Sequence, residues 1–324
     1  LSVEGLVYDR EIKSVYRFDR QCAHINVPLR GCFAGNWRIE LSTTVFLAVL
    51  LAACLHAIWN SLVKGSDDKH ATMLAVVLGH VPVAMLALPL APSVSMAALP
   101  WIMGGVALHL GYQLFLIAGY RAGDLTLVYP IARGSAPLIV TAVSIGILGV
   151  SFTTMELSGV FLIVLGLVSL TLVRRADKTR NFRAVVMALC TGAFIAAYSL
   201  VDGIGARVAT SALGFWCWAA IGNAMVLTMW MVFMRPCTFN VLKSNRSVAL
   251  SGLLGGTASF AAYGLVIWAF TQAPIALVTA LRETSIVFAM LIGVGVLKER
   301  LDLVKVISTF VTILGAILLR TSKS

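Results

Sequence analysis

Charge is what this sequence has least of. Asp, Glu, Lys and Arg make up 12% of its 324 residues, about half the share of a soluble domain. Apolar residues reach 59% and mean hydropathy is +0.93. A chain so composed cannot fold in water without exposing much of its apolar surface, so a soluble domain is excluded and a polytopic membrane protein is indicated. The charge that remains is basic, net +11. It lies in the termini and connectors, where it would meet lipid headgroups, which makes the bilayer a better partner than nucleic acid.

Chemistry-bearing motifs are also missing. The six cysteines, Cys22, Cys32, Cys54, Cys190, Cys217 and Cys237, form no CxxC and no Cys/His cluster with ligand spacing, so neither a disulfide framework nor a metal site is expected. Cys54, Cys190 and Cys217 lie in apolar runs, where cysteine acts as a small hydrophobe. The glycine pairs 104–105 and 255–256 belong to no phosphate-binding loop, and no nucleophile–base set is evident. No cofactor and no enzymatic activity are expected. Without an ATP motif, any transport must draw on an ion gradient, on exchange or on the substrate's own gradient. Residues 1–40 lack a signal-peptide apolar core and are mixed in charge. They read as a tail unlike the rest, either a disordered cytoplasmic segment or, the favoured reading, an upstream extension from a misplaced start.

What the chain has is apolar runs of spanning length, near the ~20 residues that hydrocarbon requires. They fall at 42–63, 71–91, 97–119, 125–148, 156–173, 184–204, 211–234, 248–270, 275–297 and 303–320. The expectation is an all-α integral membrane protein of ten transmembrane helices. The basic connector 174–183 divides them five and five, into units 41–174 and 184–320.

The two units repeat one another. At an offset of 149, Arg133 falls on Arg282, Gly146 on Gly295 and Gly166 on Gly315. At 151, Gly104 and Gly105 fall on Gly255 and Gly256, Tyr112 on Tyr263, Ala118 on Ala269 and Ala122 on Ala273. Trp59 aligns more loosely with Tyr198. Duplication with small loop changes explains such drift. An odd number of spans per unit forces the second copy to enter the membrane upside down, the inverted-repeat plan of secondary transporters, with a site at the midplane.

Several stretches carry a family likeness: LHAIWNSLVK in the first span, YPIARGSAP in the fourth and the closing GVLKERLDLVKVISTFVTILGAILL. Over residues 41–320 the chain resembles the drug/metabolite transporter superfamily, within its EamA-domain group. The resemblance implies two inverted five-helix EamA repeats and a cytoplasmic-membrane carrier of small metabolites working by alternating access. It names no substrate, since the superfamily carries amino acids, sugars, nucleotide sugars, phosphorylated sugars and drugs. One departure stands out: GVSFTTMELSG occupies the place after the fourth span where the group usually has Gly-Glu, so Glu299 has no clear counterpart.

Arg133 and Arg282 are the leading site candidates. Two guanidiniums at matched depth would offer bidentate donors to a carboxylate, phosphate or phosphonate; structurally, each would instead cap a broken helix or pair with an acid. Central charge costs about 2.5–3.5 kcal/mol on insertion scales, so either role needs a partner. Glu283, well inside the ninth span, is a proton-coupling candidate or an ion-pair partner. Neighbouring helical positions point about 100° apart, which favours Arg133 over Arg282 as that partner. His56, Trp59 and Asn60 form a polar stripe on the first span. Asn60 and Trp59 are substrate-binding candidates; His56 and His109 are proton-coupling candidates, with packing as the alternative, and His80 ranks lower. Tyr129, Tyr198, Tyr263 and Trp268 would shape a cavity or anchor at the interface. Asp202 and Arg207 are expected at headgroup level. Glu299 is a gating candidate or a plain surface charge.

Two questions stay open at this stage. Charge in the connectors after odd-numbered spans favours both termini outside, whereas the family likeness leads one to expect both in the cytoplasm. The substrate would be a small, anionic metabolite; a flippase for a lipid-linked anion and a non-transporting membrane sensor or assembly partner are the alternatives. Monomer and homodimer are equally compatible.

Overall fold

The computed structural model describes residues 41–63, 68–123, 125–172, 182–295 and 303–322. They form twelve α-helices and, among the described residues, no strand. The first five are α1 (Thr43–Val63), α2 (Lys69–Ala87), α3 (Leu99–Ala122), α4 (Leu125–Gly146) and α5 (Thr154–Ser169). The second set is α6 (Phe182–Val208), α7 (Ala212–Met234), the short α8 (Cys237–Ser244), α9 (Arg246–Gln272), α10 (Ile275–Arg282), α11 (Ser285–Gly295) and α12 (Leu303–Thr321). Glu299 and the 1–40 tail lie outside the described residues.

Nine of the described segments are long and apolar enough to cross a bilayer. The fifth span is the exception: α5 has 16 residues, about 24 Å at 1.5 Å per residue, and a 3₁₀ turn at Leu170–Leu172 prolongs it. The connector after α7 folds into α8, which was not expected; half of its residues are exposed, and Thr238 is buried. The ninth span is broken at Glu283 and Thr284, so that α10 and α11 are separate helices.

Local chemistry sets the helix ends. Asp68 caps α2 by accepting from the amides of His70 and Ala71. Thr153 and Glu156 form a reciprocal capping box at the start of α5, which gives Glu156 a local task in the segment that departs from the family pattern. Inside α4, Pro137 has no N–H and so leaves the carbonyl of Arg133 without its helical donor.

The main interfaces pair α3 with α6, α5 with α12, α9 with α1 and α2, and α4 with α6. Exchanging the two five-span sets maps α3–α6 onto α9–α1 and α4–α6 onto α11–α1; α5–α12 and α2–α7 map onto themselves. Glycine permits the closest crossings. A Cβ on Gly256 would lie 2.4 Å from the Val76 carbonyl oxygen, and one on Gly252 2.2 Å from Ala75 Cβ, so α2 and α9 touch backbone to backbone. Gly159 and Gly315 do the same for α5 and α12.

The bundle has two unlike ends. At one, Lys69, Arg121, Arg183, Arg235, Lys243, Arg246 and Lys305 sit in or beside helix termini. At the other, among the described residues, only Arg207 and Arg320 do so, and Arg320 Nη2 donates to Thr43 Oγ1 at 2.7 Å, joining the last helix to the first. We call these the basic face and the terminal face. A core that includes Phe215, Phe270, Ile275 and Leu277 fills the terminal half.

Candidate functional site

At the ninth-span break, Arg282 ends α10 and Glu283 precedes α11. Each charge therefore sits at the helix end whose dipole favours it, the cation at a C-terminus and the anion at an N-terminus. Both side chains are buried, as is Arg133 on α4. Arg133 Nε donates to Glu283 Oε2 at 2.8 Å, whereas Arg282 Nε stands 3.9 Å from Glu283 Oε1. The carboxylate thus belongs to Arg133, in the other half of the chain. Each guanidinium also lies over a tyrosine ring at 5.8 Å, Arg133 over Tyr129 and Arg282 over Tyr263. Arg133 Nη2 and both Nε and Nη2 of Arg282 have no hydrogen-bond partner.

Two adjoining lobes of a cavity meet at Arg133. The vestibule, about 370 Å³, runs to the basic face, where Ser61, Lys69, Tyr120, Leu170 and Lys305 line it. The inner lobe, about 90 Å³, reaches Arg282, His80, His109, Tyr198, Trp216 and Tyr263. His56, Trp59, Met73, Val76, Tyr112 and Arg133 line both. The expected stripe on α1 is therefore a cavity wall: Trp59 Nε1 donates to His56 Nδ1 at 3.2 Å and Asn60 Nδ2 to the His56 carbonyl at 2.8 Å. Tyr129 lines the vestibule; Tyr263 lines the inner lobe. Among the described residues, four Lys or Arg side chains line the two lobes and no Asp or Glu does.

Behind the inner lobe stands a group that the sequence reading misplaced. Asp202 is not at headgroup level: it is fully buried, six positions before α6 ends. Its Oδ2 lies 2.9 Å from His109 Nε2 and accepts from Tyr263 Oη at 2.8 Å, while Oδ1 has no partner. Gly105 on α3 makes the room, since a Cβ there would come within 2.4 Å of Oδ1. His109 stacks on Tyr198, with centroids 4.1 Å apart, and Tyr263 meets Trp216 edge to face. A lone carboxylate inside an apolar run was the available signal; nearness to the end of the span hid it.

Arg207 does lie near the helix end, but it serves α9. Its Nε and Nη2 donate to the carbonyls of Phe270 and Ala273 at 2.8 and 2.9 Å, satisfying the C-terminus of that helix. Trp268 packs against the core and lines neither lobe. His80 lines the inner lobe with both ring nitrogens unpartnered, as do Gln113 and Asn223 with their amide oxygens. Single amides within spans were the only hint of the last two. No cluster of metal-ligating side chains occurs among the described residues.

Fold and cavity define a multi-pass, all-helical membrane protein with a polar site buried between its helices. Residues 182–321 match the model of the EamA-like transporter family. That match covers the second part of the chain, and the family it names is one of transporters rather than enzymes. A solved crystal structure of another protein is similar over 85% of this chain and 96% of its own, with a TM-score of 0.64 and 16% identity; at that identity the likeness is one of fold, and it extends to the first half. No curated protein matches the chain.

Proposed function

We propose that the chain is a secondary transporter of the drug/metabolite type, moving a small anionic metabolite across the cytoplasmic membrane by alternating access between two inverted repeats. The observation that carries the anion is the lining: Arg133 and Arg282 border the cavity, and among the described residues no carboxylate does. The buried guanidinium of Arg282 offers unpartnered donors at the inner end. Arg133, held by Glu283, presents its remaining edge. The vestibule reaches the basic face, which the positive-inside rule puts in the cytoplasm. On this reading the inward-facing state has packed the terminal face shut, and both helical ends Thr43 and Thr321 lie outside.

A thermal-shift screen of the purified protein in detergent tests the reading. Carboxylates, phosphates and phosphonates are compared with amines and neutral solutes, because a ligand that binds only the native state raises its apparent stability. Stabilisation by anions that disappears in Arg282→Gln is the expected result. Stabilisation by amines or neutral solutes, retained in the variant, would make the arginines structural.

A further inference from the structure

We propose that His109 and Asp202 form a proton-binding site that loads together with the anion, so that anion and proton cross in the same direction. The inference rests on the anion reading above and adds a second ligand to it.

Counting buried charge leads there. Arg133 and Glu283 neutralise each other at 2.8 Å. That leaves Arg282 and Asp202, both nearly inaccessible, with Tyr263 between them. The ring of Tyr263 lies 5.8 Å from the Arg282 guanidinium, and its hydroxyl donates to Asp202 at 2.8 Å. With His109 neutral the set sums to zero. An anion on Arg282 uses up that positive charge and leaves Asp202 uncompensated in a low-dielectric interior, where an unpaired charge is costly. A proton restores neutrality. In the neutral state the N–H on His109 Nε2 faces Asp202 Oδ2. The incoming proton, taken from water in the cavity that His109 lines, forms a new N–H bond at Nδ1. The imidazolium–carboxylate pair is then neutral, one unit less negative than before. By linkage, bound anion strengthens proton binding and bound proton strengthens anion binding by the same factor.

The other ionisable groups facing this pair do not replace it. Tyr198 on α6 stacks on the imidazole, Tyr112 on α3 meets Tyr198 edge to face, and Tyr263 on α9 donates to the carboxylate. From α7 the neighbour is Trp216, which does not titrate; it stands between His109 and His80 of α2. Arg282 from α10 is the counter-charge, and Arg133 from α4 is held by Glu283. Protonating Glu283 instead would give the same net charge, but it would strand Arg133 without its 2.8 Å partner and leave Asp202 as an uncompensated carboxylate.

Proton uptake can be measured with a pH-indicator dye in weakly buffered detergent solution, on adding sodium sulfate or sodium methanesulfonate. Both are strong-acid anions that do not buffer near neutrality, and thermal shift measured in parallel reports their binding. Wild type is expected to gain thermal stability and, with the monovalent methanesulfonate, to take up about one proton per protein at saturation. In Asp202→Asn, which removes the buried negative charge, the stabilisation persists and the uptake falls to zero; in His109→Gln, which keeps that charge and removes the imidazole, both the stabilisation and the uptake fall. Anion binding without proton uptake in wild type overturns the coupling and leaves the anion site standing. Undiminished uptake in a variant that still binds anion overturns the assignment to this pair. If neither salt stabilises wild type, the anion reading itself fails and the coupling falls with it.

Discussion

Arg133 Nε and Glu283 Oε2 meet at 2.8 Å across 150 positions of sequence, joining the fourth span of one half to the ninth of the other where the two lobes of the cavity meet. Breaking one side of a buried pair leaves the other charge stranded, which typically costs about 3–5 kcal/mol. Glu283→Gln is therefore expected to lower the thermal midpoint markedly. Sulfate should recover more stability in that variant than in wild type, because two guanidiniums then lack an anion. An unchanged midpoint would mean that the pair contributes nothing to the fold.

Backbone contact between α2 and α9 makes a second expectation. Gly256→Val places a branched side chain where a Cβ alone would be 2.4 Å from the Val76 carbonyl oxygen and 2.7 Å from Gly79 Cα. The variant should not be recovered as a monodisperse protein. Gly146→Ala is the control, since nothing lies within 4 Å of a Cβ there, and it should purify like wild type. Equal recovery of both would sink the idea that this crossing needs glycine.

Arg207 holds the end of α9 through two carbonyls. Hydrogen bonds to a charged group contribute about 1.5–3 kcal/mol, so Arg207→Met should destabilise by about that amount while leaving anion-induced stabilisation intact. Loss of anion response with no loss of stability would place Arg207 in the site instead.

Orientation is testable with thiols. In a cysteine-free background, Ser93→Cys lies on the terminal face and Asn60→Cys in the vestibule. A membrane-impermeant maleimide added to intact cells should label the first, and the second only after permeabilisation. The reverse pattern would put the basic face outside.

Most of the bundle was legible because its signal is summed over many residues. Runs such as 184–204 and 248–270 needed only hydropathy, and the helices extend them by a few residues at each end. The partnership of Arg133 with Glu283 followed from the angle between adjacent helical positions. The break at Glu283 and Thr284 was legible only as the alternative that an arginine caps a broken helix, since apolar composition continues through it on both sides. The eight residues of α8 are too few and too polar to register as a span. Asp202 was misread because distance along a helix was taken for depth; Gly105 and Tyr263, which give the carboxylate room and a donor, come from two other helices. Gln113 and Asn223 carry no periodicity at all.

The separation of Arg133 from Glu283 along the chain also bears on how the protein is made. Ribosomes add about 5–20 residues per second, so roughly 8–30 s pass between the synthesis of the arginine and of its carboxylate. Throughout that interval the fourth span carries an unneutralised guanidinium that insertion scales penalise by about 2.5–3.5 kcal/mol. A nascent chain cut short before Glu283 is therefore expected to hold its fourth helix less firmly than the full chain does.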